Sequence, residues 1–141
     1  MVAYKRALDS AGYPLGIIST ISQITHEHIV QRFTKVLNTF SKDNPVILSY
    51  WDGVMKPHES AYAAFGTGHD NIFIDDKSAY LKTPLELGWR CVHFTQFADK
   101  NEAIRQLGAH HQEMKLDGPM IKVAHSYDAV VDALKQWNVS V

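Results

Sequence analysis

Short apolar runs alternate with amphipathic stretches along the whole chain. "YPLGIIST" (13–20) is a compact apolar run with β-branched residues, which predicts a buried parallel strand. "THEHIVQRFTKVLNTF" (25–40) follows, with Ile29, Phe33, Val36, Leu37 and Phe40 at helical spacing and Thr25 as the N-cap. "PVILSYW" (45–51) predicts a second strand. "KPHESAYAAFG" (56–66) predicts a helix with Pro57 near its first turn and Gly66 near its end. "NIFIDD" (71–76) is a third strand closed by two carboxylates, and "SAYLKTPLELG" (78–88) a helix distorted by Pro84. "RCVHF" (90–94) and "PMIKVAHS" (119–126) complete the strands. "VAYKRALDSAG" (2–12), "NEAIRQLGAHHQEM" (101–114) and "YDAVVDALKQW" (127–137) complete the helices.

This alternation predicts an α/β layer structure with a parallel sheet. None of the connections reads as an interdomain linker, and no internal repeat or low-complexity segment appears. Residues 1–141 are therefore expected to form a single domain, long enough for a real core.

Composition narrows the function classes. The hydrophobic content of 45% and charged content of 21% are ordinary for a globular protein. A net charge of −1, from 14 basic and 15 acidic residues, gives no electrostatic footprint for nucleic acid or for an acidic membrane. Cys91 is the single cysteine, so no internal disulfide forms. Its apolar surroundings, "WRCVHF", predict a buried small hydrophobe. No apolar stretch is long enough to span a bilayer. The start, "MVAYKRALDS", lacks the apolar core and cleavage site of a signal peptide, so a cytoplasmic location is expected. The acceptor-like "NVS" at Asn138 has no meaning in that context.

In a parallel sheet of this kind, ligands bind beyond the carboxyl ends of the strands. Ser19 and Thr20 follow the first strand, Ser49 the second, and Asp75 and Asp76 the third; Lys56 lies just past the second strand. Hydroxyls and a lysine near a helix start suit phosphoryl oxygens. A carboxylate pair suits a hard cation such as Mg²⁺. The bland alternatives are strand-end hydroxyls bonded to local backbone, and a helix N-cap with an adjacent acid. The remaining histidines carry less. His110 and His111 are adjacent and point to different helix faces, and His26 and His28 read as surface residues. Trp51, Trp89 and Trp137 are scattered and read as packing or interface residues rather than a stacking platform.

The motifs together resemble those of the haloacid dehalogenase-like (HAD) superfamily, mostly Mg²⁺-dependent phosphohydrolases. "LGIIST" resembles the second motif, with Ser19 in the hydroxyl position. "SYWDGVMKP" resembles the third at Ser49, Gly53, Lys56 and Pro57. "IDDKSAYLKTPLELG" resembles the fourth at Asp75, Asp76 and Gly88, with Tyr80 where relatives often carry Asn. "PMIKVAHSYDAVVDAL" is similar to the closing strand and helix of many members. The resemblance implies a three-layer Rossmann-like core with a mostly parallel sheet. It implies that Ser19, Thr20 and Lys56 bind phosphate and that Asp75 and Asp76 bind metal. Asp52-Gly53-Val54, which imitates the end of a first motif, is a decoy, because Tyr50 stands where its nucleophile belongs.

No D-x-D occurs anywhere in the sequence. The chain thus looks like the second half of such an enzyme, without the first strand, its nucleophilic Asp and the cap. Two functions are expected from this resemblance. One is a pseudoenzyme, inactive alone, that serves as a binding or interaction module with weak Mg²⁺ affinity and a small phosphorylated ligand. The other is a phosphatase completed by a D-x-D-bearing strand from another chain. The expected partner is a second copy or a complementing chain, because a missing central strand leaves sheet edges to be paired.

Overall fold

The computed structural model describes residues 13, 15–37, 46–68, 70–96 and 115–139. The expected helices at 2–12 and 101–114, Phe40, and the pair His110 and His111 lie outside them. The described residues fall into two compact units, divided between Phe65 and Gly66.

In the first unit, β1 (Ile17–Ser19) leads into helix α1 (Gln23–Leu37), then β2 (Val46–Leu48) and the single turn α2 (Ser49–Asp52). β1 and β2 pair in parallel, with Ile17 opposite Val46 and Ser19 opposite Leu48. The expected strand over 45–51 stops at Leu48 because the next residues turn. The Leu48 amide donates to Asp52 Oδ2 at 2.7 Å, and the Gly53 amide donates to the Ser49 carbonyl at 3.1 Å. Gly53 sits at φ 68°, a conformation that costs glycine little. Asp52 is thus a turn-closing acceptor.

Helix α1 begins three residues earlier than an N-cap at Thr25 would place it. Ser22, not Thr25, supplies the cap: its Oγ accepts from the Thr25 amide at 3.3 Å. The helix departs from helical geometry at Phe33, where φ is −123° and ψ 26°. Beside that point the Thr34 hydroxyl donates to the Val30 carbonyl, a back-bond that bends helices. Phe33, expected on the buried stripe, is 48% exposed.

The expected helix at 56–66 is absent. The Lys56–Pro57 bond is cis, and two short 3₁₀ turns follow, Glu59–Ala61 and Ala63–Phe65. Their amides reach three residues back, as in Ala61 to His58 and Tyr62 to Glu59. His58 caps the first turn by accepting from the Ser60 amide at 3.3 Å. Ala61 and Tyr62 are both buried, and neighbouring inward positions suit a tight, short turn better than a long amphipathic helix.

The second unit holds a three-stranded parallel sheet in the order β3 (Ile72–Asp75), β4 (Arg90–Phe94), β5 (Ile121–Ala124). β4 lies between the other two and carries the fully buried Cys91 and Val92, the composition expected of a strand covered on both faces. The outer strands expose Ile74 (43%) and Val123 (54%). Between β3 and β4 lie a 3₁₀ turn (Ser78–Tyr80) and the short helix α3 (Lys82–Glu86), which packs on β4 and buries Pro84. Helix α4 (Tyr127–Gln136) follows β5 and packs on it. Its buried Val130, Ala133 and Leu134 share one face, and the Ser126 Oγ caps it by accepting from the Ala129 amide at 3.1 Å. Asn138, at φ 61°, ends the helix, and the Val139 amide returns to the Leu134 carbonyl at 3.0 Å.

The fold is therefore α/β with parallel strands, as the alternation implied. Among the described residues those strands form two sheets where one was expected.

Candidate functional site

Ser19, Thr20 and Lys56 belong to the first unit, and side-chain hydroxyls hold their neighbourhood together. Beyond β1, the Ile21 amide donates to Ser49 Oγ at 2.8 Å, and the Ser49 hydroxyl donates to the Ile21 carbonyl at 2.8 Å. One side chain thus ties the exit of β1 to the exit of β2. Thr20 makes a second tie, its Oγ1 accepting from the Lys56 amide at 3.2 Å. These bonds bring Thr20, Ser49 and Lys56, far apart in sequence, to one end of the two-stranded sheet. Ser19 sits half-buried at the last position of β1, and Thr20 is exposed. Lys56 is only 9% exposed, a rare state for lysine that requires compensation of its charge.

This arrangement separates the roles of the two hydroxyls. Ser49 spends both donor and acceptor on Ile21 and acts as a brace. Thr20 accepts one backbone bond and retains a hydroxyl proton that can be turned toward an anion.

Asp75 and Asp76 belong to the second unit, at the carboxyl end of β3. Asp75 Oδ1 accepts from the Lys77 amide at 2.9 Å, closing the turn out of the strand. Asp75 thus closes a turn and does not cap a helix: Lys77 is the N-cap of the 3₁₀ turn that follows, with no side-chain cap bond. Asp75 lies opposite His93 in the strand register, and His93 Nε2 lies 3.3 Å from the Asp76 carbonyl. At the ends of the neighbouring strands, the Thr95 hydroxyl and His125 Nδ1 share a hydrogen bond. His93, Thr95 and His125 were not singled out in the sequence. Their signal was positional: His93 is the next-to-last residue of its strand, and Thr95 and His125 each follow one, in "RCVHFT" and "KVAHS".

Among the described residues, no group of three or more His, Cys, Asp or Glu is placed to hold one metal ion. The carboxylate pair can offer oxygen ligands to Mg²⁺, which would keep several of its waters. Tyr80 is buried, with Lys77 Nζ 5.4 Å from its ring centroid. Cys91 is buried, and desolvation pushes its thiol up to about 12, so it is no nucleophile near neutral pH. Among the described residues, no helix is long and apolar enough to cross a membrane.

No protein-family model, curated protein or solved structure matches this chain.

Proposed function

We propose that this chain is a haloacid dehalogenase-like domain that keeps an anion-binding loop but lacks the nucleophile, and that it works as a binding module rather than as a phosphatase on its own. The observation that supports this reading is the convergence of Thr20, Ser49 and Lys56 at the carboxyl ends of two parallel strands. Ser19, Thr20 and Lys56 are the proposed phosphate ligands, and Asp75 and Asp76 the proposed ligands of a weakly held Mg²⁺. The ligand class is a small phosphorylated molecule, and the compartment the cytoplasm.

The test is a calorimetric titration of inorganic phosphate into the full chain, with and without Mg²⁺. Weak saturable binding, reduced about tenfold by Lys56→Met while the thermal melt is retained, is the expected result. Binding unchanged by that substitution and by Thr20→Val would overturn the reading.

A second reading, a phosphatase completed by another chain, is favoured by one further observation. Among the described residues, β1 pairs with β2 alone and β3 with β4 alone. The resemblance puts the family's nucleophile strand between the counterparts of β1 and β3. Open edges of this kind recruit a strand from a second copy or from a complementing chain. Mg²⁺-dependent hydrolysis of an aryl phosphate that appears only on mixing with a D-x-D-bearing chain would select this reading.

A further inference from the structure

The first unit carries an open groove of about 670 Å³ between α1 and α2 that shares no residue with the proposed phosphate ligands. Tyr50 and Trp51 form one wall, with their rings edge to face at 6.3 Å. Trp51 is 78% exposed, and Val30 adds an aliphatic surface beside it. So large an exposed indole is the residue type that anchors protein interfaces.

Two pairs of polar groups in the groove are held by hydrogen bonds, and its charged residue among those described is acidic. The Tyr50 hydroxyl and His26 Nδ1 share a 2.7 Å hydrogen bond, which holds both rings. Glu27 Oε1 accepts from the Gln23 side-chain amide at 2.8 Å, and its second oxygen has no partner among the described residues. Among the described residues Glu27 is the formally charged residue of the lining, and no lysine or arginine stands with it. An anionic occupant, whether nucleic acid, phosphate or an acidic lipid surface, would meet a carboxylate that no lysine or arginine of the described lining offsets. A cationic occupant finds that carboxylate in the same groove as an exposed indole, whose π-face attracts cations. The groove is open rather than enclosed, which suits a peptide laid across it better than a small molecule that must be surrounded.

We propose that this groove docks a basic, partly apolar peptide segment of a partner protein. An arginine or lysine of the partner pairs with Glu27 and stacks on Trp51, and an aliphatic neighbour packs on Val30 and Tyr50. The proposal goes beyond the anion-binding role, since it uses other residues and a ligand of opposite charge.

The experiment is fluorescence anisotropy of a short labelled peptide of arginine, leucine and alanine. It is titrated with the full chain in buffer free of phosphate and divalent metal, so its outcome is independent of the phosphate titration. The counterpart peptide carries glutamate in place of arginine. The expected result is saturable binding of the basic peptide only, weakened about tenfold or more by Trp51→Ala and again by Glu27→Lys, with circular dichroism melts retained. Glu27→Gln should give an intermediate loss that shrinks as salt is raised. The proposal is overturned by absence of binding, by equal binding of the two peptides, or by affinities indifferent to Trp51 and Glu27. It is also overturned if argininamide alone binds as tightly as the peptide, which would mark a small-molecule site. Self-association of the chain that Trp51→Ala abolishes would make the occupant a second copy and overturn it equally.

Discussion

The Ser49 hydroxyl offers a direct way to separate bracing from ligand binding. Ser49→Ala removes the acceptor of the Ile21 amide and the donor to the Ile21 carbonyl, both at 2.8 Å and partly buried. A net intramolecular hydrogen bond contributes about 1 kcal/mol, and a stranded polar group costs about 1–3 kcal/mol, less where water can reach it. Two bonds in a partly buried loop therefore total roughly 2 kcal/mol. Native-state hydrogen exchange reads this locally: the Ile21 amide should lose protection by roughly thirtyfold, the equivalent of that free energy. Urea unfolding should show a lower midpoint with an unchanged slope. Ser60→Ala is the control, because among the described residues its hydroxyl bonds the exposed His58 ring two residues away. If Ser49→Ala left Ile21 protection within about twofold of wild type but abolished phosphate binding, Ser49 would be a ligand and the bracing argument would fail.

Three further outcomes are expected. Ser126→Ala should cost about 1 kcal/mol through loss of the α4 cap, visible as a lower thermal midpoint; a change below about 0.3 kcal/mol would mean that the Ala129 amide finds water at no cost. Because burial raises the Cys91 thiol from 9.0 to about 12, the unfolded chain releases this proton first. Stability is then fully present below pH 9 and is lost as pH rises toward about 12; Cys91→Ala should flatten that decline in the urea midpoint, and an unflattened decline would assign it to other groups. Finally, the isolated chain should not turn over an aryl phosphate with Mg²⁺, since no D-x-D is present to supply a nucleophile; metal-dependent turnover abolished by Asp75→Asn would refute this.

Features set by near neighbours were legible in the sequence. Short apolar runs marked all five described strands, from Ile17–Ser19 to Ile121–Ala124. The amphipathic pattern of "YDAVVDALKQW" marked α4, because an amphipathic face is a property of a few consecutive residues. Positions at strand ends pointed to Ser19, Thr20, Lys56, Asp75 and Asp76. What those side chains touch was decided by tertiary structure. Ser49 reaches Ile21 across 28 residues, and Thr20 reaches Lys56 across 36. Such pairs depend on which strands lie side by side, and local pattern does not encode that. The segment after Pro57 reads as a helix by composition, yet forms 3₁₀ turns that bury Ala61 and Tyr62. Phe33 sits on a predicted apolar stripe, yet about half of it meets solvent at the point where its helix departs from helical geometry. In both places local propensity differs between alternatives by less than about 1 kcal/mol per residue, so long-range packing and a single side-chain hydrogen bond suffice to choose.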